Sequence, residues 1–415
     1  MFFAGNSFFY FSSLLRYNLP MTRQKTLTTI AYYASFTAMG ISMASLGPTL
    51  PNLAASTRAG LGAISILFTA RSLGGLLGSV LGGQLYDRLR GHRVMALMIL
   101  CMALFTALTP FVSLLWLLVG VLFVTGAVQG VLNIGGNALL VWVHGKTVGP
   151  FMNGLHFFFG VGTFIAPVIV AQFITQQSGL VGTYLLLAAI MLPTTVLAFL
   201  PSPPSPQAAQ SINGGKNDVR LIVLISLVFA CYNGASTAFG GLVTTYALNM
   251  NLANAKNAAL LASVFWGALT LGRLAAIPLA FRFSPRAILR ADFGGALVSL
   301  LAMLIWPHSL TAVLITSAGL GFALASIYPT TMSLSGQLMT LSGKVTGLFA
   351  IGSSAGAMLV PWLVGQFFVI SGPQAMTVIL LVDCALALVV LALLARRRAA
   401  APQPAVGLAE GKVDG

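Results

Sequence analysis

The stretch "GGQLYDRLRGHRV", residues 82–94, separates two long apolar runs and holds the densest internal group of charges in the chain. Only six of the 415 residues are Asp or Glu, yet one of them, Asp87, lies here beside Arg88, Arg90 and Arg93. Arginines alone are typical of a short solvated loop between membrane-spanning helices. That interpretation leaves the carboxylate unexplained, so the stretch predicts a specific role for this loop.

The composition on either side of the loop indicates a membrane protein. Hydrophobic residues make up 58% of the chain and charged residues 7%, with a mean hydropathy of +0.95. A soluble domain carries about 25% charged residues, and about 20 apolar residues cross a bilayer as a helix. We therefore predict an all-α polytopic membrane protein with twelve transmembrane helices in two pseudo-symmetric six-helix bundles. The predicted spans are residues 27–52, 61–86, 94–114, 116–142, 153–175, 180–200, 220–248, 257–281, 287–306, 309–334, 345–370 and 374–396.

The net charge of +15 is explained by membrane orientation. With these spans, all but four of the 21 Lys and Arg residues fall on one side of the membrane or in the termini; Arg58 and Lys256 lie in opposite loops, and Arg71 and Arg273 inside spans. Such a bias sets the topology, so we expect both termini to be cytoplasmic, in a plasma or inner membrane. Nucleic acid is not an expected partner.

A linker and an internal repeat divide the chain into two halves. The segment "PSPPSPQAAQSINGGKND" is rich in Pro, Gly and Ser, as is typical of a flexible linker. Gly40 and Gly234, like Pro167 and Pro361, match at one common offset between the halves. Two repeated halves are typical of alternating-access transporters. The predicted parts are a cytoplasmic segment 1–26 (1–20 being a candidate mis-annotated start), a bundle 27–200, a linker 201–219, a bundle 220–396 and a cytoplasmic tail 397–415.

The opening stretch resembles the signature loop of the major facilitator superfamily. Gly83, the Asp87-Arg88 pair, then Gly91 and Arg93, stand between the second and third spans, where that family carries the loop. The resemblance implies that Gly83, Asp87, Arg88 and Arg93 form a cytoplasmic gate that holds the halves together when the carrier opens outward. Arg90 lengthens the usual spacing by one residue, and Phe281 stands in the second half where Asp87 would be repeated.

Other stretches resemble the branch of the superfamily that holds fucose-permease-like and sodium-dependent sugar carriers. They are "GVLNIGGNALLVWVHGKTVGPFMNGLHFFFGVG", "YNGASTAFGGLVTTYAL" and "FWGALTLGRL". Relatives in that branch often carry acids near the positions of Asn133 and Ser236, which are neutral here. The resemblance therefore implies a sugar carrier, and the neutral residues predict weak dependence on sodium or protons.

Polar side chains within the spans are the candidate substrate-binding residues. Gln129, Asn133 and Asn137 recur every four residues and share one helix face, which must avoid lipid because unpaired amides are costly there. The face either lines a cavity or makes hydrogen bonds between helices. Amides and hydroxyls beside aromatic rings suit a sugar or polyol, and the second half supplies Tyr232, Asn233, Ser236, Thr245 and Trp266.

Charged groups inside the spans leave two alternatives open. Arg71 must face protein or water, since a cation at the centre of a span costs about 2.5–3.5 kcal/mol on insertion scales. It contacts either an anionic or hydroxylated solute or helix carbonyl groups. His156 and Asp383 are the candidates for ion coupling, although a packing role is also open for each.

The chain is therefore predicted to be a transporter of a small polar organic solute, with a sugar or polyol favoured. The alternatives are an efflux transporter of drugs or organic anions and, less favoured, a non-transporting receptor or scaffold. No spacing of nucleophiles, acids or ligands predicts an enzyme, a cofactor or a metal site. The glycine-rich run "GGLLGSVLGG" is interpreted as helix packing, and we expect a monomer in the lipid bilayer.

Overall fold

A computed structural model describes residues 23–176, 179–203 and 218–395 of the chain. Twelve long helical segments, numbered here in chain order, run through these residues. They are α1 (Arg23–Ser56), α2 (Leu61–Arg88), α3 (Gly91–Phe111), α4 (Leu115–His144), α5 (Val148–Phe173), α6 (Gly179–Leu197), α7 (Val219–Asn249), α8 (Ala255–Arg282), α9 (Pro285–Ile305), α10 (Leu310–Leu338), α11 (Lys344–Ser371) and α12 (Ala375–Ala395). Most of the predicted linker and the predicted terminal segments lie outside the described residues.

The first helix is the most polar of the twelve. In the described part of the chain, α2 to α12 are long and apolar enough to cross a membrane, whereas α1, at 34 residues, is long enough but less apolar. Its buried residues include Thr28, Ser35, Ser42 and Thr49, so much of its surface faces other helices rather than lipid. A helix surrounded by protein can carry hydroxyl groups because neighbouring carbonyl groups accept their hydrogen bonds. The twelve predicted spans are therefore confirmed, with α1 as an interior helix.

The two halves repeat one packing pattern. Within the first six helices the most extensive packing joins α2 to α4 and α1 to α5, and the second six repeat it as α8 with α10 and α7 with α11. Between the halves, α5 packs on α8 and α2 on α11, which is again one pair related by the repeat. The predicted pseudo-symmetric bundles are confirmed, and their helix order creates a central interface formed by α1, α2, α5, α7, α8 and α11.

Glycine allows α2 and α4 to approach within backbone contact. A Cβ on Gly74 or Gly78 would overlap the carbonyl oxygens of Phe123 and Ala127, and a Cβ on Gly126 would overlap that of Arg71. Small residues are the usual means of close helix packing in lipid, where hydrophobic driving force between helices is absent. The glycine-rich run of α2 is thus confirmed as a packing element, and it brings Arg71 beside α4.

The α10 helix is interrupted beside a carboxylate of α9. Its helical hydrogen bonding breaks at Ala325 and Ser326, and the Ser326 hydroxyl donates a hydrogen bond to the Asp292 carboxylate of α9. Breaks within spans are tolerated where neighbouring groups satisfy the freed polar atoms. Asp292 is a second acid inside a span, besides Asp383, and its role at a helix break could not be read from spacing.

Candidate solute-binding cavity

A cavity of about 330 Å³ lies between the two bundles. This volume is at the low end of the range of roughly 300–1,000 Å³ typical of small-molecule sites. Seven helices contribute to the wall: α1, α2, α4 and α5 from the first bundle and α7, α8 and α11 from the second. A site shared by both bundles changes its exposure when the bundles move relative to one another, as alternating access requires.

Arg71 is the charged group at this cavity, and neutral atoms hold it. It is only 9% exposed. Its Nε and Nη2 both donate to Gln129 Oε1, at 3.1 and 3.0 Å, and its Nη1 donates to the Met43 carbonyl oxygen at 2.8 Å. Gln129 is fixed in turn, because its Nε2 donates to Ser42 Oγ at 3.0 Å. The chain of hydrogen bonds ties α2 to α4 and α1 and fixes the guanidinium at the cavity wall.

Two adjacent glycines of α7 allow aromatic rings of α8 and α2 to pack directly against the α7 backbone. The α7 helix is unbroken at Gly240 and Gly241, so the pair serves close approach rather than a kink. A Cβ on Gly240 would lie 2.6 Å from the Trp266 ring, and one on Gly241 would lie 2.6 Å from the Phe68 ring. Trp266 is 7% exposed, and its indole Nε1 is buried without a hydrogen-bond partner among the described residues. A buried donor that lacks a partner is costly unless a ligand or water supplies one.

Six of the residues predicted to bind solute or couple ions line the cavity. They are Arg71, Gln129, Asn133, His156, Asn233 and Trp266. The Asn233 Nδ2 donates to the Ser353 carbonyl oxygen at 3.1 Å, which leaves its Oδ1 as an acceptor. His156 lies near the Phe36 ring, with centroids 6.1 Å apart.

The other predicted residues lie outside the cavity wall. Asn137 donates to the Asn133 carbonyl oxygen at 2.7 Å and to Asn133 Oδ1 at 3.3 Å, so it positions the neighbouring amide. Tyr232 packs near the Tyr328 ring, and the Ser236 hydroxyl donates to the Asn233 carbonyl oxygen at 3.3 Å.

Thr245 and Asp383 are also away from the cavity. Thr245 is 3% exposed and lies near the end of α7 farthest from the linker. Asp383 lies on α12, which does not contribute to the cavity wall, and its Oδ2 is buried without a hydrogen-bond partner among the described residues.

Sequence reasoning missed several of the residues that line the cavity. Phe68 of α2 lies in the wall as one more apolar residue of an apolar span, so nothing in the pattern singled it out. Ser354 and Ala357 of α11 also line the cavity. The run of small and hydroxyl residues around them, "GSSAGA" at 352–357, was the available signal.

The bundles are closed at the end of the molecule farthest from the linker, called here the distal end. Gln366 Nε2 of α11 donates to the Gly62 carbonyl oxygen of α2 at 2.7 Å, and Thr69 Oγ1 donates to the Met358 carbonyl oxygen at 3.1 Å. A Cβ on Gly47 of α1 would lie 2.8 Å from the Gly240 carbonyl oxygen of α7. The cavity is therefore shut off on this side by backbone-level contacts.

The opposite end, called the linker end, carries the predicted gate in an open arrangement. Asp87 is exposed, and no described residue forms a hydrogen bond or ion pair with its side chain. A Cβ on Gly83 would meet nothing within 4 Å. Arg88 and Arg93, with Asp87, line a surface crevice against residues 199–203 instead of facing α11.

A buried histidine anchors the start of the linker beside the gate. His92 is fully buried and contacts Tyr32 Oη through Nε2 at 2.6 Å and the Leu200 carbonyl oxygen through Nδ1 at 3.0 Å. Its backbone N–H donates to Ser202 Oγ at 3.1 Å. The signature loop thus holds the end of the first bundle to the linker. In the described part of the chain no three His, Cys, Asp or Glu residues come together as metal ligands.

Known proteins resemble the chain in sequence and in fold. Residues 30–361 match the Major Facilitator Superfamily. The chain is 30% identical over 360 residues to sodium-dependent glucose transporter 1 of Xenopus laevis, covering 78% of this chain and 72% of that protein. A mutant of the nucleoside transporter NupG shares the fold with a TM-score of 0.72 at 14% identity, covering 91% of this chain and all of that one. A bacterial homolog of the human lysosomal transporter Spinster, inward-facing and unoccupied, has a TM-score of 0.70 at 11% identity over 90% of this chain and 96% of its own.

Proposed function

The chain belongs to the Major Facilitator Superfamily and is a membrane transporter, not an enzyme, and we propose that it carries a sugar or a polyol. The observation that carries this proposal is the cavity between the bundles, with amides, hydroxyls and the Trp266 ring in one wall. Hydroxyl groups pair with amides, and the apolar face of a sugar ring stacks on an aromatic ring. The glucose named for the related Xenopus laevis protein supports the same class of solute.

The mechanism we propose is a rocking of the two bundles around the cavity. In the arrangement described, solute enters and leaves at the linker end, because the distal end is closed by α2 with α11 and α1 with α7. In the opposite arrangement the linker end closes, and Gly83, Asp87, Arg88 and Arg93 face the start of α11 around Lys344. A carboxylate there meets the positive end of a helix and a basic side chain.

The orientation and the coupling are part of the proposal. The linker end carries most of the cations, which supports a cytoplasmic linker end with both termini on that side. The bundle boundaries at 27–200 and 220–396, and a monomeric state, complete the proposed organisation.

Because the cavity wall has no carboxylate among the described residues, uptake should change little when sodium is replaced by choline. A steep sodium requirement would contradict this and direct attention to Asp383, and a steep proton requirement to His156.

Efflux of organic anions is the second candidate function. Arg71 at the wall favours it, since a guanidinium attracts anions. The cavity volume of about 330 Å³ argues against large hydrophobic drugs.

Uptake by purified protein in proteoliposomes tests the proposed function. Radiolabelled hexoses and hexitols should enter with saturation, and Trp266→Ala should weaken uptake about three- to tenfold through lost stacking. The matched control is Trp306→Ala, which removes a 59% exposed indole at the end of α9. Export of dyes without saturable uptake of any polyol would contradict the sugar proposal.

A further inference from the structure

Arg71 has more hydrogen-bond donors than the protein satisfies. A guanidinium has five N–H groups. Among the described residues, Gln129 Oε1 accepts from Nε and Nη2 and the Met43 carbonyl oxygen accepts from Nη1. One N–H on Nη1 and one on Nη2 therefore stay without a protein acceptor. These two nitrogens form the end of the planar fork that binds a carboxylate with two parallel hydrogen bonds.

The charge of Arg71 is also uncompensated. Its acceptors are an amide and a backbone carbonyl, which satisfy hydrogen bonds without neutralising the charge. The described acids lie elsewhere, Asp87 and Asp218 at the linker end, Asp292 against Ser326 and Asp383 on α12, and none lines the cavity. A buried charge without a partner is costly, so a counter-ion delivered by the solute would stabilise the occupied site.

Further unpaired donors lie in the same wall. Trp266 Nε1 is buried without a partner, and an indole nitrogen can only donate. Asn133, which lines the cavity, accepts from Asn137 through Oδ1, and no described residue accepts a hydrogen bond from its Nδ2. Against these, the free Oδ1 of Asn233 is an amide acceptor. Arg71 and Asn133 on the first bundle therefore supply unpaired donors of the wall, which favours a solute rich in acceptors.

We infer that the solute is a hydroxylated monocarboxylate, a sugar acid, whose carboxylate binds Arg71 while its hydroxylated ring lies against Trp266. The inference rests on the proposed function and narrows it, since it requires the same cavity and the same stacking surface. A single guanidinium matches one negative charge. A phosphate ester carries about −1.5 to −2 and would leave part of its charge without a partner.

Three solutes that share one ring and differ in charge test the inference. D-Glucuronate, D-glucose and D-glucosamine are compared as competitors of uptake and as ligands in thermal-shift assays on the purified full chain. Glucuronate should bind about ten- to a hundredfold more tightly than glucose, the range for charge-assisted hydrogen bonds, and glucosamine should bind most weakly. Equal or better binding of glucose would overturn the inference and leave the proposed function standing. Failure of all three to bind would overturn both.

Two substitutions assign the preference to Arg71. Arg71→Gln should bring the ratio of glucuronate affinity to glucose affinity down to about one or below. Asn133→Asp provides a second measurement if Arg71→Gln does not fold, because an isosteric carboxylate in the wall should weaken glucuronate and strengthen glucosamine. Arg273→Gln is the matched control, since it removes a guanidinium that is within a span but outside the cavity wall. A glucuronate preference that survives Arg71→Gln, or is unmoved by Asn133→Asp, would contradict the assignment.

Discussion

The distal and linker ends of the bundle interface are built from different contacts. At the distal end the helices touch through backbone atoms: Gly47 lies against Gly240, and Gln366 Nε2 donates to the Gly62 carbonyl oxygen at 2.7 Å. At the linker end Gly83 meets open space, and Asp87 is exposed without a described partner. One end is closed by close packing, whereas the other holds charged groups that are apart.

The contacts that close each end of the interface are of similar strength. Backbone contacts and a few hydrogen bonds, which average about 0.6 kcal/mol each between membrane helices, close the distal end. A surface ion pair or a helix-end contact is worth a similar amount, about 0.3–1 kcal/mol. Each closure is therefore weak enough for the other to replace it, as a carrier that alternates between them requires.

The largest effect is expected from filling the distal contact. A Gly47→Val side chain would meet the α7 backbone at Gly240 and Gly241, so the distal end should open and uptake should fall more than about tenfold. Spin-label distances between positions 114 and 370, two exposed sites at the distal ends of the two bundles, should lengthen. Gly294→Val is the control, because a Cβ there meets nothing within 4 Å. Unchanged distances and uptake in Gly47→Val would show that the contact does not close the distal end.

An intermediate effect is expected at the linker end. Asp87→Asn should slow uptake several-fold, because the closed arrangement of this end loses its carboxylate, while the melting temperature stays unchanged since Asp87 has no described partner here. The matched control Asp218→Asn removes a carboxylate from the same end, where it caps α7 through the Arg220 N–H at 2.8 Å. If both variants slow uptake alike, net charge rather than the gate is responsible.

The smallest effect is expected from one distal hydrogen bond. Gln366→Ala removes the bond to the Gly62 carbonyl oxygen and should shift the population toward distal opening about threefold, the equivalent of about 0.6 kcal/mol. Its counterpart in the repeat, Gln172, has an exposed side chain, and Gln172→Ala should leave the population unchanged. Spin-label distances give both populations, and an equal shift in the two variants would contradict the asymmetry.

Particular residues show how far sequence reasoning reached into the candidate site. Arg71, Gln129, Asn133, Asn233 and Trp266 stand out because polar or bulky aromatic groups inside apolar spans must face protein or water. Asn137 shares the helix face of Asn133 but bonds to it rather than to the cavity. Helical spacing shows which residues share one face of a helix. It does not show how far along that face the cavity extends.

The residues that sequence reasoning missed share a physical reason. Phe68 looks like any lipid-facing residue of a span, and its position beside Gly241 exists only because the first bundle packs against the second. Pro329 marks the helix break at Ala325 and Ser326, because it has no N–H to donate to the Ala325 carbonyl, but nothing in the sequence places Asp292 beside that break. Such contacts join residues far apart in the chain, so no local pattern encodes them.

The amino-acid sequence alone predicts the twelve crossings, the repeated halves and a glycine-rich packing run in α2, because lipid requires apolar length and close helix packing requires small residues. Tertiary structure decided which polar groups share one cavity, that α1 is an interior helix and that the distal end is the closed one. These features depend on how the two bundles are placed relative to one another. Because weak contacts can exchange one placement for another, no single segment of the sequence encodes it.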